Sequence, residues 1–152
     1  MSKQTAPQAI DYGDLNTLMG YKLRRAQVSF FDSFAQRCSK FGITPGLFGV
    51  LSLVKHNPGQ TQSAIANALG NDRSAMVSVV DKLEAMQVLV RKPSATDRRS
   101  HALFLTKEGE KYYAELITQV REHEQQFMDL LQDDEAAIIS DVLDRFAAVK
   151  SS

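Results

Sequence analysis

Between Thr61 and Met86 the sequence spells two helices with almost no chain between them, and that spacing leaves few folds open. The run TQSAIANALG opens on Thr61, a residue type that caps helix N-termini. It closes on Gly70, which accepts the left-handed conformation found just past a helix end. Asp72 caps the next run, whose apolar positions Met76, Val79, Val80, Leu83 and Met86 recur at helical spacing. Two amphipathic helices joined by a Gly70-Asn71 turn have the layout of a helix-turn-helix. After Met86 the period changes. Val88 to Lys92 reads as a strand, Pro93 to Ser100 as a polar turn, and His101 to Leu105 as a returning strand.

Long helical patterns flank this unit. From Leu15 to Phe41 the residues Leu15, Leu18, Met19, Leu23, Ala26, Phe30, Phe34 and Cys38 form one apolar stripe, which Gly42 stops. Thr44-Pro45 opens another helix, and Asn57-Pro58-Gly59 breaks it. Thr106 caps a long helix with Tyr113, Leu116, Ile117, Val120, Phe127 and Leu131 inward. Asp133 or Asp134 starts a last one, with Ile138, Ile139, Val142, Leu143, Phe146 and Val149 on one face. A 25-residue helix spans roughly 38 Å, longer than the small central unit can cover. A second copy of the chain is the simplest cover for the remaining stripe, so a homodimer is expected. The expected fold is mainly α with a small β-hairpin wing: a winged helix-turn-helix flanked by long N- and C-terminal dimerisation helices. The segments are 1–13, a flexible N-terminus; 14–43, the N-terminal dimerisation helix; 44–105, the winged helix-turn-helix core; and 106–152, the C-terminal dimerisation helices.

The charge is sorted along the chain. The net charge is zero, with 18 Lys plus Arg against 18 Asp plus Glu. Residues 1–60 carry 7 basic and 3 acidic side chains, residues 61–105 carry 6 and 4, and residues 106–152 carry 5 and 11. Neutrality is therefore an average over a basic body and an acidic tail. On the second helix of the central pair the face left over shows Arg73, Ser74, Ser78 and Lys82. Short hydroxyl residues let a helix approach base edges in a major groove, while Arg and Lys reach guanine or phosphate. The hairpin concentrates charge at Asp97-Arg98-Arg99, with Arg91 and Lys92 on its first strand. An Arg-tipped hairpin suits a narrow minor groove. Asp97 beside two Arg is expected to hold one guanidinium by a bidentate pair.

The stretch from Phe41 to Gly109 resembles the MarR family of bacterial winged-helix transcriptional regulators. The pieces that carry the resemblance are FGITPGLFGVLSLV, then NPGQTQSAIANALGNDRSAMVSVVDKLEAMQVLVRK, then TDRRSHALFLTKEGE. The combination of Asp-x-Arg with Leu-Thr-x-x-Gly directly after it is specific. The resemblance implies a dimer with two recognition helices in successive major grooves of a palindromic operator on double-stranded DNA. It implies that Arg73, Ser74, Ala75, Ser78 and Lys82 face the major groove, that Arg99 enters the minor groove, and that Arg98 meets phosphate with Asp97 in support. It also implies a repressor released by a small effector bound between the winged helix and the dimerisation helices. Tyr21, Arg24, Arg25, Ser29, Phe30 and Phe31 on the first helix lie near that junction, with Phe48 able to join them. Arg beside aromatic rings suits an aromatic carboxylate.

Other readings are weighed beside these. The phenylalanines at helical spacing are also expected core, and Arg24 or Arg25 could serve an ion pair. Cys38 offers a thiol redox switch, although its place on an apolar stripe favours a buried structural thiol. A winged helix can also serve protein contact without DNA. His56, His101 and His123 are scattered, so no metal site is expected, nor any cofactor. No motif joins Ser, His and Asp, and no Gly-rich phosphate loop appears, so no enzyme is expected. A single Cys suits a reducing cytoplasm, and neither a membrane span nor a secretory signal is expected.

Overall fold

The structure, a computed structural model, describes residues 9–149. Its elements are α1 (Met19–Arg37), α2 (Pro45–His56), α3 (Gln62–Leu69), α4 (Arg73–Ala85), β1 (Leu89–Pro93), β2 (His101–Leu105), α5 (Lys107–Met128) and α6 (Glu135–Ala147). Local cap chemistry sets most of these bounds. Thr44, Thr61, Asp72 and Thr106 each accept a hydrogen bond from the backbone N–H three residues on. Gly42 and Gly70 take the left-handed conformation after a helix end.

The first helix is shorter than its pattern predicts. A separate 3-10 turn covers Gly13–Thr17, Leu18 is extended, and α1 begins only at Met19. Local bonds compete with the helix here: the Gly13 N–H donates to Asp11 Oδ1, and the Thr17 hydroxyl donates to the Asp14 carbonyl. The far end tightens into a second 3-10 turn, Ser39–Phe41. Of the expected flexible segment, residues 1–8 lie outside the described residues, and Gly13 already belongs to the turn.

The hairpin pairs Leu89 with Leu105 through to Pro93 with His101, antiparallel. Its first strand begins one residue later than predicted, because the Val88 N–H is taken by the Leu83 carbonyl as α4 closes. A third short piece was not predicted. Thr61 bridges Ala102, the Gly59 N–H donates to Leu103 O, and the Leu103 N–H donates to Gln60 O, both at 2.9 Å. This pairing ties the start of α3 to β2.

The core gathers Leu47, Val50, Leu51 and Val54 of α2, Met76, Val80 and Leu83 of α4, and Leu103 of β2. Tyr113, Leu116 and Val120 of α5 close it from outside the winged unit. Burying each such side chain stabilises the fold by about 1.5–3 kcal/mol. α5 enters by a close approach at Gly109, where an added Cβ would stand 1.9 Å from Val88 O. It then runs antiparallel to α1, tied by the Arg37–Glu122 ion pair and by Gln126 donating to the Ser33 hydroxyl.

The outer stripe is only half used within one chain. Phe34 and Cys38 are buried, whereas Leu15, Leu18, Met19 and Leu23 are exposed, as are Ile138, Ile139, Leu143 and Phe146 on α6. Leu131 and Val149, predicted inward on helices, fall beyond the ends of α5 and α6. Among the described residues, no helix is long and apolar enough to cross a membrane.

Candidate nucleic-acid interface and effector cavity

α4 is held by its buried face, and its other face is presented outward. With Met76, Val80 and Leu83 fully buried, the residues Arg73, Ser74, Ala75, Ser78 and Lys82 are exposed together, with Val77 and Asp81 beside them. Ser74 is not wholly free. Its hydroxyl donates to Asp72 Oδ1 at 2.7 Å, the same oxygen that caps Ala75. These bonds, the Ala75 N–H first, hold the Asp72 carboxyl below the usual carboxylate range.

The hairpin tip is organised by Asp97, in a different way from the expected one. Among the described residues no guanidinium pairs with Asp97. Oδ1 accepts from the Arg99 N–H at 2.9 Å and Oδ2 from the Ser100 hydroxyl at 2.7 Å, so both oxygens serve the turn. The Ser100 hydroxyl, then the Arg99 amide, hold this carboxyl below its ordinary range. Arg98 and Arg99 are exposed, and neither guanidinium is in an ion pair among the described residues.

Arg91 differs from them. Its guanidinium meets Asp81 at 2.7 Å and also Glu84, its Nε donates to Gln62 Oε1 at 3.0 Å, and its backbone N–H donates to Glu84 Oε1 at 2.9 Å. Its charge is spent joining β1 to α3 and α4, so it does not add to the positive tip. Lys92 lies 5.0 Å over the Phe104 ring.

The residues expected to hold an effector divide into two places. Tyr21, Arg24, Arg25 and Ser29 line an open groove of about 560 Å³ along α1, with Asp32 and Gln36 farther along. Phe30 and Phe48 line a smaller cavity of about 130 Å³ with Phe31, Phe34, Pro45, Val120, His123 and Glu124. A groove of about 610 Å³ shares Arg24 with the first and Phe30 and Phe31 with the second. The arginines thus line one recess and the aromatic rings another.

Sequence reasoning missed His123. It is 2% exposed, its Nε2 lies 3.0 Å from the Phe30 carbonyl, and Phe30, Phe34 and Phe127 surround its ring edge-on. The available signal was its position on the α5 stripe, three residues after Val120 and four before Phe127. Cys38 is fully buried, and burial pushes its thiol up, with Arg37 a smaller opposing influence.

Comparison with known proteins gives a consistent picture. A sequence model of the MarR family matches residues 41–100. A putative transcriptional regulatory protein for the hcr operon of Thauera aromatica is 38% identical over 135 residues, covering 88% of this chain and 81% of that protein. The transcriptional repressor CouR bound to a 23-mer DNA duplex superposes with a TM-score of 0.86 at 36% identity, covering 92% of this chain and 99% of that one. CouR bound to p-coumaroyl-CoA does so with a TM-score of 0.86 at 34% identity, covering 93% and 100%.

Proposed function

The chain belongs to the MarR family of transcriptional regulators, and from that premise we propose that it is a cytoplasmic, homodimeric repressor of a palindromic operator, released by an aromatic effector. The observation that carries the DNA reading is the pair of unspent Arg98 and Arg99 guanidiniums on a turn locked by Asp97, beside the exposed face of α4. In this reading Arg73, Ala75, Ser78 and Lys82 meet the major groove, with Ser74 contributing its remaining lone pairs. Arg99 enters the minor groove and Arg98 meets phosphate. CouR, similar over almost its whole length, supports the same use of this surface.

Dimerisation through the exposed apolar stripe of the N-terminal segment and α6 would set the spacing of the two recognition helices. That spacing must be about 34–36 Å, or a near multiple, for two half-sites to be read together. An effector that binds better to another spacing lowers DNA affinity through its differential affinity for the two states. The small aromatic cavity suits a ring, and Arg24 and Arg25 on α1 suit the anionic remainder of an aromatic acid or its CoA thioester. The p-coumaroyl-CoA complex of CouR supports the thioester form.

The test begins with duplexes selected from a random pool by the full-length protein. Arg99→Ala should weaken binding to the selected duplex at least about fivefold, and Lys82→Ala should change which bases are preferred. If both variants bind it as the parent does, the assignment of this surface is wrong. Addition of p-coumaroyl-CoA should release the duplex, and Arg25→Ala should raise the concentration needed. A duplex that stays bound at saturating p-coumaroyl-CoA rejects the effector half of the proposal.

A further inference from the structure

The outward side of α4 carries two strips of different chemistry. Ser74, Ser78 and Lys82 follow one another at four-residue steps and are all exposed. Arg73, Val77, Asp81 and Glu84 form the neighbouring strip, at steps of four, four and three residues. Two carboxylates on this strip would repel DNA if left alone. Both are engaged by the Arg91 guanidinium, which meets Asp81 at 2.7 Å and pairs with Glu84 as well. The same guanidinium donates to the Val77 carbonyl at 3.3 Å. The acids beside Val77 are thus neutralised, and an apolar side chain is what this part of the strip presents.

Val77 is 44% exposed. Within residues 44–105 the other exposed large apolar side chain is Leu69, and it lies over Gly49 of α2, its Cδ2 3.7 Å from where a Cβ there would stand. A lone exposed valine is ordinary on a protein surface. This one stands among the residues that the proposed function turns toward base edges. A β-branched side chain in a helix keeps one strongly preferred rotamer, so its two methyl groups are held in a fixed place. Val77 also shares a recess of about 180 Å³ between α3 and α4 with Ala66 and Met76, so the apolar surface extends beyond one side chain.

We propose that Val77 selects a thymine in the target duplex by contact with its C5 methyl group, and that Arg91 permits the approach by neutralising Asp81 and Glu84. This deepens the DNA reading above and rests on it. The valine side chain neither donates nor accepts, so the polar edge of a base would lose water against it and gain nothing. The C5 methyl of thymine is the apolar group that the major groove displays. Contact between the two removes apolar surface from water on both sides. A base pair that places no methyl there forgoes that gain. The choice is therefore separate from hydrogen-bond readout by Ser78 and Lys82, and it adds to specificity without adding charge.

The experiment takes the duplex selected from the random pool by the full-length protein and replaces its thymines, one at a time, with deoxyuridine. That exchange removes the C5 methyl and leaves every hydrogen-bonding group in place. At one thymine or more the parent should lose about fourfold in affinity, the worth of roughly one methyl group taken from water. Val77→Ala should bind the thymine and deoxyuridine duplexes alike at that position, while keeping any loss found at other thymines. Arg98→Ala should weaken both duplexes equally and keep the parent's preference, which separates the methyl contact from a general loss of affinity. Val77 is exposed, so its truncation leaves the core intact. The proposal is overturned if no thymine methyl is worth more than about twofold. A preference that survives in Val77→Ala, or that vanishes in Arg98→Ala as well, also overturns it. The two readings fail separately. Weakened binding by Arg99→Ala and altered base preference in Lys82→Ala, with no methyl effect, keep the DNA surface and reject this role for Val77. A methyl effect erased by Val77→Ala, where those two variants bind as the parent does, does the reverse.

Discussion

Arg91 on the hairpin and Asp81 on α4 form an ion pair of 2.7 Å whose arginine side chain is only 17% exposed. Glu84 and Gln62 engage the same guanidinium, so three elements meet on one side chain. The hairpin and α4 are thereby fixed to one another by more than the short chain between them.

Replacing Arg91 with Ala should cost about 1–3 kcal/mol of stability, the range for hydrogen bonds to charged groups lost from a partly buried site. Chemical denaturation of Arg91→Ala against the parent measures it. Arg98→Ala, an exposed neighbour on the same hairpin, should change stability by less than about 0.5 kcal/mol. Equal effects of the two would contradict the role given to Arg91.

Gly109→Ala should destabilise the protein by about 1–3 kcal/mol, because its Cβ would stand 1.9 Å from the Val88 carbonyl oxygen, a backbone atom that cannot swing aside. Gly46→Ala is the companion. It meets only Thr44 Oγ1 at 4.0 Å inside α2, so it should be neutral or stabilising by up to about 1 kcal/mol. Thermal melts of the pair decide whether close approach, and not helical propensity, governs position 109.

The turn at Asp97 should depend on pH. Its carboxyl is held below the ordinary carboxylate range in the folded chain, so its contribution is complete above the unfolded value. That contribution is lost as pH falls through the lower, folded one. The Arg99 amide proton should therefore titrate with a midpoint below that of a free Asp, as should the Ala75 amide through Asp72. An Arg99 amide that titrates at the free-Asp value would mean the bond is absent in solution.

Cys38 should be inert in the folded protein. Burial raises its thiol, and no part of the residue is exposed, so a thiol reagent should react only at the rate at which the protein opens. Peroxide should leave duplex binding unchanged. Rapid, stoichiometric labelling of native protein would revive a redox role.

The features legible in the sequence were those set by local chemistry. The caps Thr44, Thr61, Asp72 and Thr106, and both strand positions to within a residue, follow from side chains acting three residues away or from a change of period. Arg91 misled because its partners lie 7 to 29 residues distant, and no spacing rule reveals that a charge is already spent. The strand-like stretch at Gly59–Thr61 is too short to show alternation, and its partner is 41 residues away. Asp97 was assigned to a guanidinium because two Arg follow it, whereas the nearer backbone amide and Ser100 hydroxyl take its oxygens. Among the effector candidates, helical spacing places Tyr21, Arg24, Arg25 and Ser29 along one groove, but only the packing of α5 on α1 brings His123 to Phe30 and Phe48.

A small projecting hairpin ordinarily leaves an open edge onto which another chain can add a strand, the first step toward aggregation. Here one side is closed by Thr61 and its neighbours pairing with β2. On the other side the Arg91 amide is already occupied by the Glu84 carboxylate, and Pro93 has no N–H to offer. The same arginine contacts that fix the hairpin to α4 therefore also blunt its outer edge, so this exposed hairpin is a poor template for strand addition.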